Sequence, residues 1–208
     1  GISAISIGVD SLATISSPVI TIPSRNEPVI CYGTSITQGG CATRAGMSYT
    51  NILGRMMNRE VINLGFSGNG QLDYEIAKLM SQRTDAGLYI LDFIPNVNLE
   101  QIREKTARFV EILRNENSEI PLLFVESITF THSFYDRHIF DTVTEKNKAL
   151  KEEVEKLRAA GHKNIHYLST DYLIGSDEEA TVDGIHLTDL GFVRLAEKLY
   201  EKIKEINP

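Results

Sequence analysis

A serine near the start of this 208-residue chain and an Asp–His pair near its end have the residue types of a nucleophilic hydrolase site. Ser35 lies in the Gly-rich run GTSITQGG, where unpaired backbone N–H groups can stabilise an anion. Asp183 and His186 are spaced three apart, so a turn can let the carboxylate hold the imidazole Nδ1–H and leave Nε2 to accept a hydroxyl proton. Taken singly, Ser35 is also typical of a helix N-cap, and the Asp–His pair is also typical of a surface turn.

Two further loops carry groups that could stabilise a developing negative charge. The run NLGFSGNG contains Gly68, whose backbone N–H is a candidate oxyanion donor, and the run PNVN contains Asn96, whose side-chain amide is another. Each is open to a simpler interpretation, as a tight turn or as a Pro-Asn turn. A nucleotide site is disfavoured, because neither the GxGxxG pattern nor the GxxxxGK[ST] pattern is present.

The hydrophobic pattern predicts the elements that would bring these loops together. We predict strands at residues 29–32, 61–64, 88–93, 121–125 and 164–168, and helices at residues 47–57, 72–80, 99–113, 140–160 and 188–206. This alternation is typical of a parallel sheet covered on both faces, and the carboxyl ends of its strands meet at one edge. All four motifs fall at that edge, which favours one shared site over four unrelated turns.

The first 24 residues differ from the rest, because Ile, Val, Ser and Thr nearly alternate in them. They predict two short strands joined by a turn at residues 10–11. We assign residues 1–27 as an N-terminal β segment and linker, which could be the tail of an upstream β-rich module, and residues 28–208 as the main domain. The chain begins with Gly1 rather than Met, which is typical of a processed or an engineered start, and we favour an extracytoplasmic location, periplasmic or secreted.

The composition excludes several classes of protein. Hydrophobic residues make up 42% and charged residues 24% of the chain, as in globular proteins, and no apolar run approaches the ~20 residues of a membrane-spanning helix. The 28 acidic and 21 basic residues leave a formal charge of −7, which disfavours a nucleic acid or an anionic membrane as partner. Cys31 and Cys41 are too few for a disulfide scaffold or a four-cysteine zinc site, and the pattern makes no prediction about whether they pair.

A loop at residues 127–140 is rich in aromatic residues and histidine. Such a loop can cover the crevice, and we expect its side chains to line the substrate site together with two threonines beside the serine: Phe130, Phe134, Tyr135, His138, Thr34 and Thr37. The alternative is an ordinary loop anchored by its aromatic rings. His132, Asp136 and His138 are the candidates for metal catalysis, but HExxH and CxxC spacings are absent, and we predict neither a metal nor a cofactor.

Across residues 28–206, these motifs resemble the four blocks of the SGNH (GDSL-like) hydrolase superfamily, especially GDSL-like lipases and acylhydrolases with a β-rich N-terminal module. YGTSITQGG is similar to the serine block, NLGFSGNG to the glycine block, LDFIPN to the asparagine block and VDGIHLTDLG to the histidine block. The sequence departs from the family pattern at two points. Thr34 stands where the family's GDS has aspartate, and FIPN stands where the third block has GxND.

The resemblance implies a flavodoxin-like three-layer α/β/α sandwich with a five-stranded, mostly parallel sheet. It implies metal-free ester hydrolysis, with Ser35 as nucleophile, His186 as base and Asp183 as the residue that orients the base. The oxyanion hole would consist of the Ser35 and Gly68 backbone N–H groups and the Asn96 side chain.

We therefore predict a serine esterase that acts on a small-molecule or carbohydrate ester, with short acyl groups such as acetyl. A lipid-type acylhydrolase is one alternative. A non-catalytic carbohydrate-binding module on an inactive hydrolase fold is the other. The sequence makes no prediction about oligomeric state.

Overall fold

The computed structural model describes residues 3–17, 27–116 and 118–206, and its centre is a five-stranded parallel sheet. The strand order is β2-β1-β3-β4-β5, and the strands are β1 (Val29–Gly33), β2 (Val61–Gly65), β3 (Leu88–Asp92), β4 (Leu122–Val125) and β5 (Ile165–Leu168). All five predicted strands are present, and their ends lie within one residue of the predicted ones. The order reverses between β1 and β3, which is where open α/β sheets bind their ligands.

In the described residues, six α-helices cover the sheet: α1 (Ser35–Gln38), α2 (Tyr49–Met57), α3 (Tyr74–Ser81), α4 (Leu99–Arg114), α5 (Arg137–Ala159) and α6 (Asp189–Ile206). Short 3₁₀ helices occupy Ala45–Met47, Ile94–Asn96 and Thr131–Phe134. Helices α3, α4 and α5 pack on one face of the sheet, and α1, α2 and α6 pack on the other. The predicted three-layer α/β/α sandwich is therefore confirmed.

The sheet contributes to two hydrophobic cores, because successive side chains of a strand point to opposite faces. In β1, Ile30 and Tyr32 belong to the core beneath α3, α4 and α5, whereas Val29 and Cys31 belong to the core beneath α1, α2 and α6. All five residues of β1 are buried. Burial on both faces explains why this strand is apolar throughout rather than alternating with polar residues.

Three helices begin two or more residues from their predicted starts, and capping side chains explain two of these differences. The third helix is α3, which begins at Tyr74 rather than at residue 72. Helix α5 begins at Arg137 rather than at residue 140, because the Asp136 carboxylate accepts the His138 N–H at 2.9 Å. Helix α2 begins at Tyr49 rather than at residue 47, because Ser48 is its N-cap. In both cases the capping residue overrides the apolar periodicity from which the start was predicted.

The predicted N-terminal β segment is wrong for the residues that the structure describes there. Residues 3–17 contain no strand, and all of them are exposed. The turn itself is present, since Leu12 N–H donates to Asp10 Oδ1 and Ala13 N–H donates to Asp10 O, each at 2.9 Å. Alternating apolar residues do not form a stable hairpin without a core or a sheet edge to pack against. Residues 1–2 and 18–24, which belong to the same prediction, lie outside the described residues.

The two longest helices are α5, with 23 residues, and α6, with 18 residues. Each buries one face against the sheet, Leu150 and Val154 in α5 and Phe192 and Leu199 in α6, and exposes charged residues on the other. In the described part of the chain, no helix combines the length and the apolar character needed to cross a bilayer.

Candidate active site

Ser35 is the first residue of α1, directly beyond the carboxyl end of β1. The preceding Thr34 is the N-cap of this helix, and its hydroxyl accepts the Ile36 N–H at 3.2 Å. Thr37 completes a capping box, because its hydroxyl accepts the Thr34 N–H at 3.3 Å. The interpretation of Ser35 as an N-cap is therefore wrong, and its hydroxyl is available for other contacts. The threonine that stands in place of the aspartate of GDS is the residue that caps the helix.

The Ser35 hydroxyl contacts the histidine of the DxxH pair. Ser35 Oγ lies 2.9 Å from His186 Nε2, and His186 Nδ1 lies 2.7 Å from Asp183 Oδ2. A carboxylate can only accept, so Nδ1 carries the proton and Nε2 accepts the hydroxyl proton. The structure therefore brings together the three residues predicted as the catalytic triad, in the hydrogen-bonded order that proton transfer requires.

Asp183 is held as an ionised acceptor by groups of its own loop. Its Oδ1 accepts the backbone N–H groups of Ile185 at 3.0 Å and His186 at 2.7 Å. Burial acts to raise the pKa of Asp183, but the hydrogen bonds from the His186 ring and from these two N–H groups outweigh it and lower the pKa to about 2. The carboxylate is thus charged at neutral pH and orients the imidazole.

A short hairpin-like loop presents this Asp–His pair to the serine. Thr181 and Leu187 form an antiparallel bridge, and Val182 N–H donates to His186 O at 2.8 Å. Gly184, at the tip, has φ +87°, a left-handed backbone conformation that favours glycine. Helix α6 follows at once, with the Thr188 hydroxyl accepting the Gly191 N–H at 3.1 Å as its cap. The loop is therefore closed at its base and anchored to a long helix.

The Gly-rich loop after β2 is pinned to the end of β1. Phe66 N–H donates to Gly33 O at 3.0 Å, and a Cβ atom on Gly70 would lie 2.0 Å from that same carbonyl oxygen, so only glycine fits there. Gly68 has φ +71°, and its N–H, like that of Ser35, donates to no acceptor within the described residues. Both predicted backbone oxyanion donors are thus unpaired, as an anion-binding group must be.

Asn96 connects the loop after β3 to this Gly-rich loop. It ends the 3₁₀ helix Ile94–Asn96, and its Nδ2 donates to Phe66 O at 3.2 Å. The second N–H of the amide makes no hydrogen bond with any described residue. This contact connects Asn96, one predicted oxyanion donor, to the loop that carries Gly68, another predicted donor.

A buried carboxyl group supports α1 from below, a role that the sequence motifs do not identify. Asp92, which ends β3 beside Gly33, accepts hydrogen bonds from the hydroxyls of Thr37 at 2.9 Å and Tyr49 at 3.3 Å. Burial raises the pKa of Asp92 to about 7, although both hydrogen bonds act to lower it. The only signal in the sequence is a lone acidic residue at the end of an apolar strand.

Several residues predicted to line the substrate site lie elsewhere. Thr34 and Thr37 are fully buried, because their hydroxyls cap α1 and bind Asp92 inside the protein. Phe130 is buried in the hydrophobic core beneath α1, α2 and α6. Tyr135 and His138 are exposed at the surface, and neither side chain lines the cavity that contains Phe134. The burial of Thr34, Thr37 and Phe130 corrects the prediction that these side chains line the substrate site, whereas the placement of Tyr135 and His138 there stays a prediction.

Phe134 does line a cavity, of about 260 Å³, beside the loop that carries the Asp–His pair. The other lining residues include polar and aromatic side chains: Thr129, Thr131, Thr170, Asp171, Tyr172, Ser176 and Glu178. Thr181 donates a hydrogen bond to the Thr131 hydroxyl at 2.9 Å, and His132 N–H donates to Gly184 O at 3.3 Å. These contacts join the 3₁₀ helix at the cavity wall to the loop of His186.

The candidate metal ligands of the aromatic loop do not converge. Among residues 3–17, 27–116 and 118–206, the single group of three potential ligand residues within 4.8 Å of one another is Cys41, Asp183 and His186, and not His132, Asp136 and His138. The Asp136 carboxylate instead caps α5. Cys31 and Cys41 are both free thiols, the first buried in β1 and the second exposed.

The model of the GDSL-like lipase/acylhydrolase family matches residues 26–204 of this chain. A solved structure from Bacteroides ovatus ATCC 8483, described as a GDSL-like lipase, is 36% identical, with a TM-score of 0.84, and the alignment covers 88% of this chain and 54% of that one. A salicylyl-acyltransferase from a tetracycline biosynthetic pathway is 22% identical, with a TM-score of 0.75 and coverage of 88% and 55%. This chain thus spans about half the length of both proteins.

A carbohydrate acetylesterase from Sinorhizobium meliloti is 16% identical, with a TM-score of 0.64 and coverage of 87% and 100%, which shows a shared fold. No curated protein matches the sequence. The family match extends over most of the chain, and the Bacteroides structure is similar over nearly the same extent. The chain belongs to the GDSL-like lipase/acylhydrolase family.

Proposed function

We propose that this protein hydrolyses carboxylic esters with Ser35 as the nucleophile. The observation that carries the proposal is the hydrogen-bonded series from Ser35 Oγ through His186 to Asp183, at 2.9 and 2.7 Å. His186 Nε2 takes the hydroxyl proton as Oγ attacks the ester carbonyl carbon, and Asp183 stabilises the resulting imidazolium. Collapse of the tetrahedral intermediate breaks the ester C–O bond, and the alcohol leaves with the proton from His186. A water molecule deprotonated by His186 then attacks the acyl-enzyme, and the carboxylic acid is released.

The negative charge of the tetrahedral intermediate needs donors that are already in position. The Ser35 and Gly68 N–H groups and the Asn96 amide are our candidates, and the unpaired state of both N–H groups supports this assignment. Such donors are worth more in the transition state than in the ground state, because the carbonyl oxygen gains its full charge only there.

We propose short acyl groups, such as acetyl, on a carbohydrate or another small alcohol as the substrate class. Support comes from the 260 Å³ cavity beside the His186 loop, where the exposed rings of Phe134 and Tyr172 offer apolar faces and Asp171 and Ser176 offer hydrogen-bonding groups. Sugars present such mixed surfaces, whereas a long acyl chain requires a continuous apolar channel. The fold shared with a carbohydrate acetylesterase is consistent with the same class.

The decisive experiment combines an ester panel with two serine variants. We expect hydrolysis of p-nitrophenyl acetate to exceed that of p-nitrophenyl octanoate, and acetate to be released from acetylated xylan. Ser35→Ala should reduce hydrolysis to near background and abolish covalent labelling by a fluorophosphonate. Ser67→Ala, a serine of the neighbouring Gly-rich loop, is the matched control and should retain both properties. Wild-type rates in Ser35→Ala would refute the nucleophile assignment.

The same measurements separate the alternatives. A preference for octanoyl over acetyl esters would favour a lipid-type acylhydrolase. Binding of xylan without hydrolysis or fluorophosphonate labelling would favour an inactive carbohydrate-binding module. Loss of activity in EDTA would favour metal catalysis, whereas the serine mechanism predicts unchanged rates.

A further inference from the structure

The exposed thiol of Cys41 is held close to the Asp–His pair by two anchors. On one side, Gly40 N–H donates to Ser35 O at 2.8 Å. On the other, the Thr43 N–H and hydroxyl donate to the two carboxylate oxygens of Asp189, at 3.0 and 2.6 Å. Between these anchors Cys41 has φ +69°, a left-handed conformation uncommon for residues other than glycine. The position of the thiol is therefore set by the fold and not by its own backbone preference.

One ligand atom each from Cys41, Asp183 and His186 lies within 4.8 Å of the other two. A thiolate, a carboxylate and an imidazole are the three ligand types that Zn²⁺ binds in proteins, and three protein ligands leave a fourth, tetrahedral position for water. We propose that Cys41, Asp183 and His186 form a binding site for a thiophilic divalent cation such as Zn²⁺ or Cd²⁺, and that the bound cation inhibits the enzyme.

The charges and protons of this site favour a divalent cation. Asp183 is an exposed carboxylate whose Oδ1 already accepts two backbone N–H groups, from Ile185 at 3.0 Å and from His186 at 2.7 Å. As the S–metal bond forms, the Cys41 thiol releases its proton to solvent. A thiolate and a carboxylate together then neutralise the charge of the ion. Because both Cys41 and Asp183 are exposed, the cation reaches the site from solvent without any opening of the fold.

The inhibition follows from the fact that both ring nitrogens of His186 are already used. Coordination through Nε2 replaces the contact with Ser35 Oγ. Coordination through Nδ1 replaces the contact with Asp183 Oδ2 and moves the ring proton from Nδ1 to Nε2. Either mode of coordination removes the general base. The Nε2 lone pair that would take the proton of the Ser35 hydroxyl is then occupied, by the metal in the first case and by the ring proton in the second. The inhibitory part of this inference rests on the proposed function, whereas cation binding does not.

Binding is tested without any substrate, by titrating the reduced 208-residue chain with Cd²⁺ in a buffer free of thiols and chelators. A thiolate-to-Cd²⁺ charge-transfer band should appear in the ultraviolet for the wild-type chain and for Cys31→Ala, the matched control that removes the buried thiol. The band should be absent from Cys41→Ser and Cys41→Ala. A wild-type chain without the band, or a band that persists in both Cys41 variants, would overturn the proposed site.

Inhibition is then tested with Zn²⁺ on p-nitrophenyl acetate hydrolysis. Wild type and Cys31→Ala should be inhibited reversibly, with activity restored by EDTA. Cys41→Ser should keep its activity in the absence of metal. Its half-inhibition should require at least about tenfold more Zn²⁺ than that of wild type, because one of the three ligands is missing. Equal Zn²⁺ sensitivity of wild type and Cys41→Ser would overturn the inhibitory role. A Cys41-dependent Cd²⁺ band in a chain without esterase activity would instead support the cation site and refute the proposed function.

Discussion

The Asp183 carboxylate uses both of its oxygens, one for the imidazole of His186 and the other for two backbone N–H groups of its own loop. A residue with a single acceptor atom could not orient the ring and close the loop at once. The pKa of Asp183 is lowered to about 2, despite the opposing effect of burial, by these same hydrogen bonds. At the scale of the residue, the site therefore depends on the hydrogen bonds of Asp183, which hold the His186 ring in place before any substrate binds.

Asn96 allows a test of the proposed oxyanion hole. We expect Asn96→Ala and the isosteric Asn96→Asp to lower kcat by about 10²–10³, because one preorganised donor is removed from the transition state. The KM for p-nitrophenyl acetate should change far less, since the ground-state carbonyl carries little charge. Asn69→Ala is the control, because the Asn69 side-chain amide donates to Ser67 O on an exposed part of the Gly-rich loop. Equal kcat values for Asn96→Ala and Asn69→Ala would exclude Asn96 as a donor.

Asp92 should make stability depend on pH in an unusual direction for a carboxyl group. Its pKa is about 7 in the folded protein against an ordinary value of 3.8, because burial disfavours the charge more than its hydrogen bonds favour it. Between these values the folded chain holds the proton more tightly than the unfolded chain, so the contribution of Asp92 to the unfolding free energy falls as pH rises. Asp92→Asn keeps an acceptor for Thr37 and Tyr49 but does not titrate.

We therefore expect the unfolding free energy of Asp92→Asn, relative to wild type, to rise on the order of 1–3 kcal/mol between about pH 5 and about pH 8. Urea unfolding at the two pH values measures this difference. The control is Asp85→Asn, whose exposed carboxyl pairs with Arg83 and has a lowered pKa, so its difference from wild type should be flat over this range. An equally flat difference for Asp92→Asn would contradict the raised pKa.

At the scale of the elements, the site depends on how closely the loops after β1 and β2 approach each other. The two strands end in register at Gly33 and Gly65, and Phe66 N–H continues the pairing to Gly33 O. This close approach brings the Gly68 N–H to the same edge as Ser35. The separation of the two loops is limited by backbone atoms, which cannot move aside as a flexible side chain can.

Two glycines of this loop should respond differently to alanine. Gly70→Ala places a Cβ 2.0 Å from Gly33 O, so the loop must shift, and we expect a loss of about 2 kcal/mol or more of unfolding free energy together with most of the esterase activity. Gly68→Ala meets no atom within 4 Å and costs only about 1–2 kcal/mol for its left-handed φ. Urea unfolding and p-nitrophenyl acetate rates test both. A larger effect for Gly68→Ala than for Gly70→Ala would contradict the close packing.

At the scale of the whole molecule, residues 3–17, the first segment that the structure describes, lie outside the α/β/α sandwich. Residues 3–17 are exposed throughout, and their apolar side chains include Ile5 and Leu12, which are 75% and 93% exposed. Both hydrophobic cores are formed by residues from Val29 onward. The segment therefore contributes no buried side chain to either core.

Removal of residues 1–17 should consequently leave the domain unchanged. We expect the unfolding free energy to stay within about 0.5 kcal/mol of that of the full chain, as for changes away from buried features, and kcat/KM for p-nitrophenyl acetate to be the same. Urea unfolding and steady-state kinetics measure these quantities. A lower midpoint with an unchanged slope in urea would show that the segment packs on the domain after all.

The short-range hydrophobic pattern of the sequence was sufficient to predict the strands of the sheet and the site residues at its edge. Short runs rich in apolar residues predict all five strands to within one residue. Burial on both faces makes β1 and β4 apolar along their whole length, whereas the edge strands β2 and β5 are only partly buried and include Asn63 and His166. The same pattern fails for residues 3–17, where alternating apolar residues have no core to face. Periodicity therefore predicts a strand only where the tertiary fold supplies a surface to cover.

The sequence by itself determined the fold class, the family and the positions of Ser35, Asp183 and His186 relative to the strand ends. Only the tertiary structure decided that Thr34 rather than Ser35 caps α1, that Asp92 lies beneath this helix, and that Cys41 lies beside His186. The cap is a local choice between two adjacent residues that are both typical N-caps, so residue type alone does not decide it. The other two have a different physical reason: backbone preferences and burial patterns act over a few neighbouring residues, whereas the Asp92–Thr37 contact and the approach of Cys41 to His186 join segments far apart in the chain. Such segments meet only once the strand order and the packing of the helices are set.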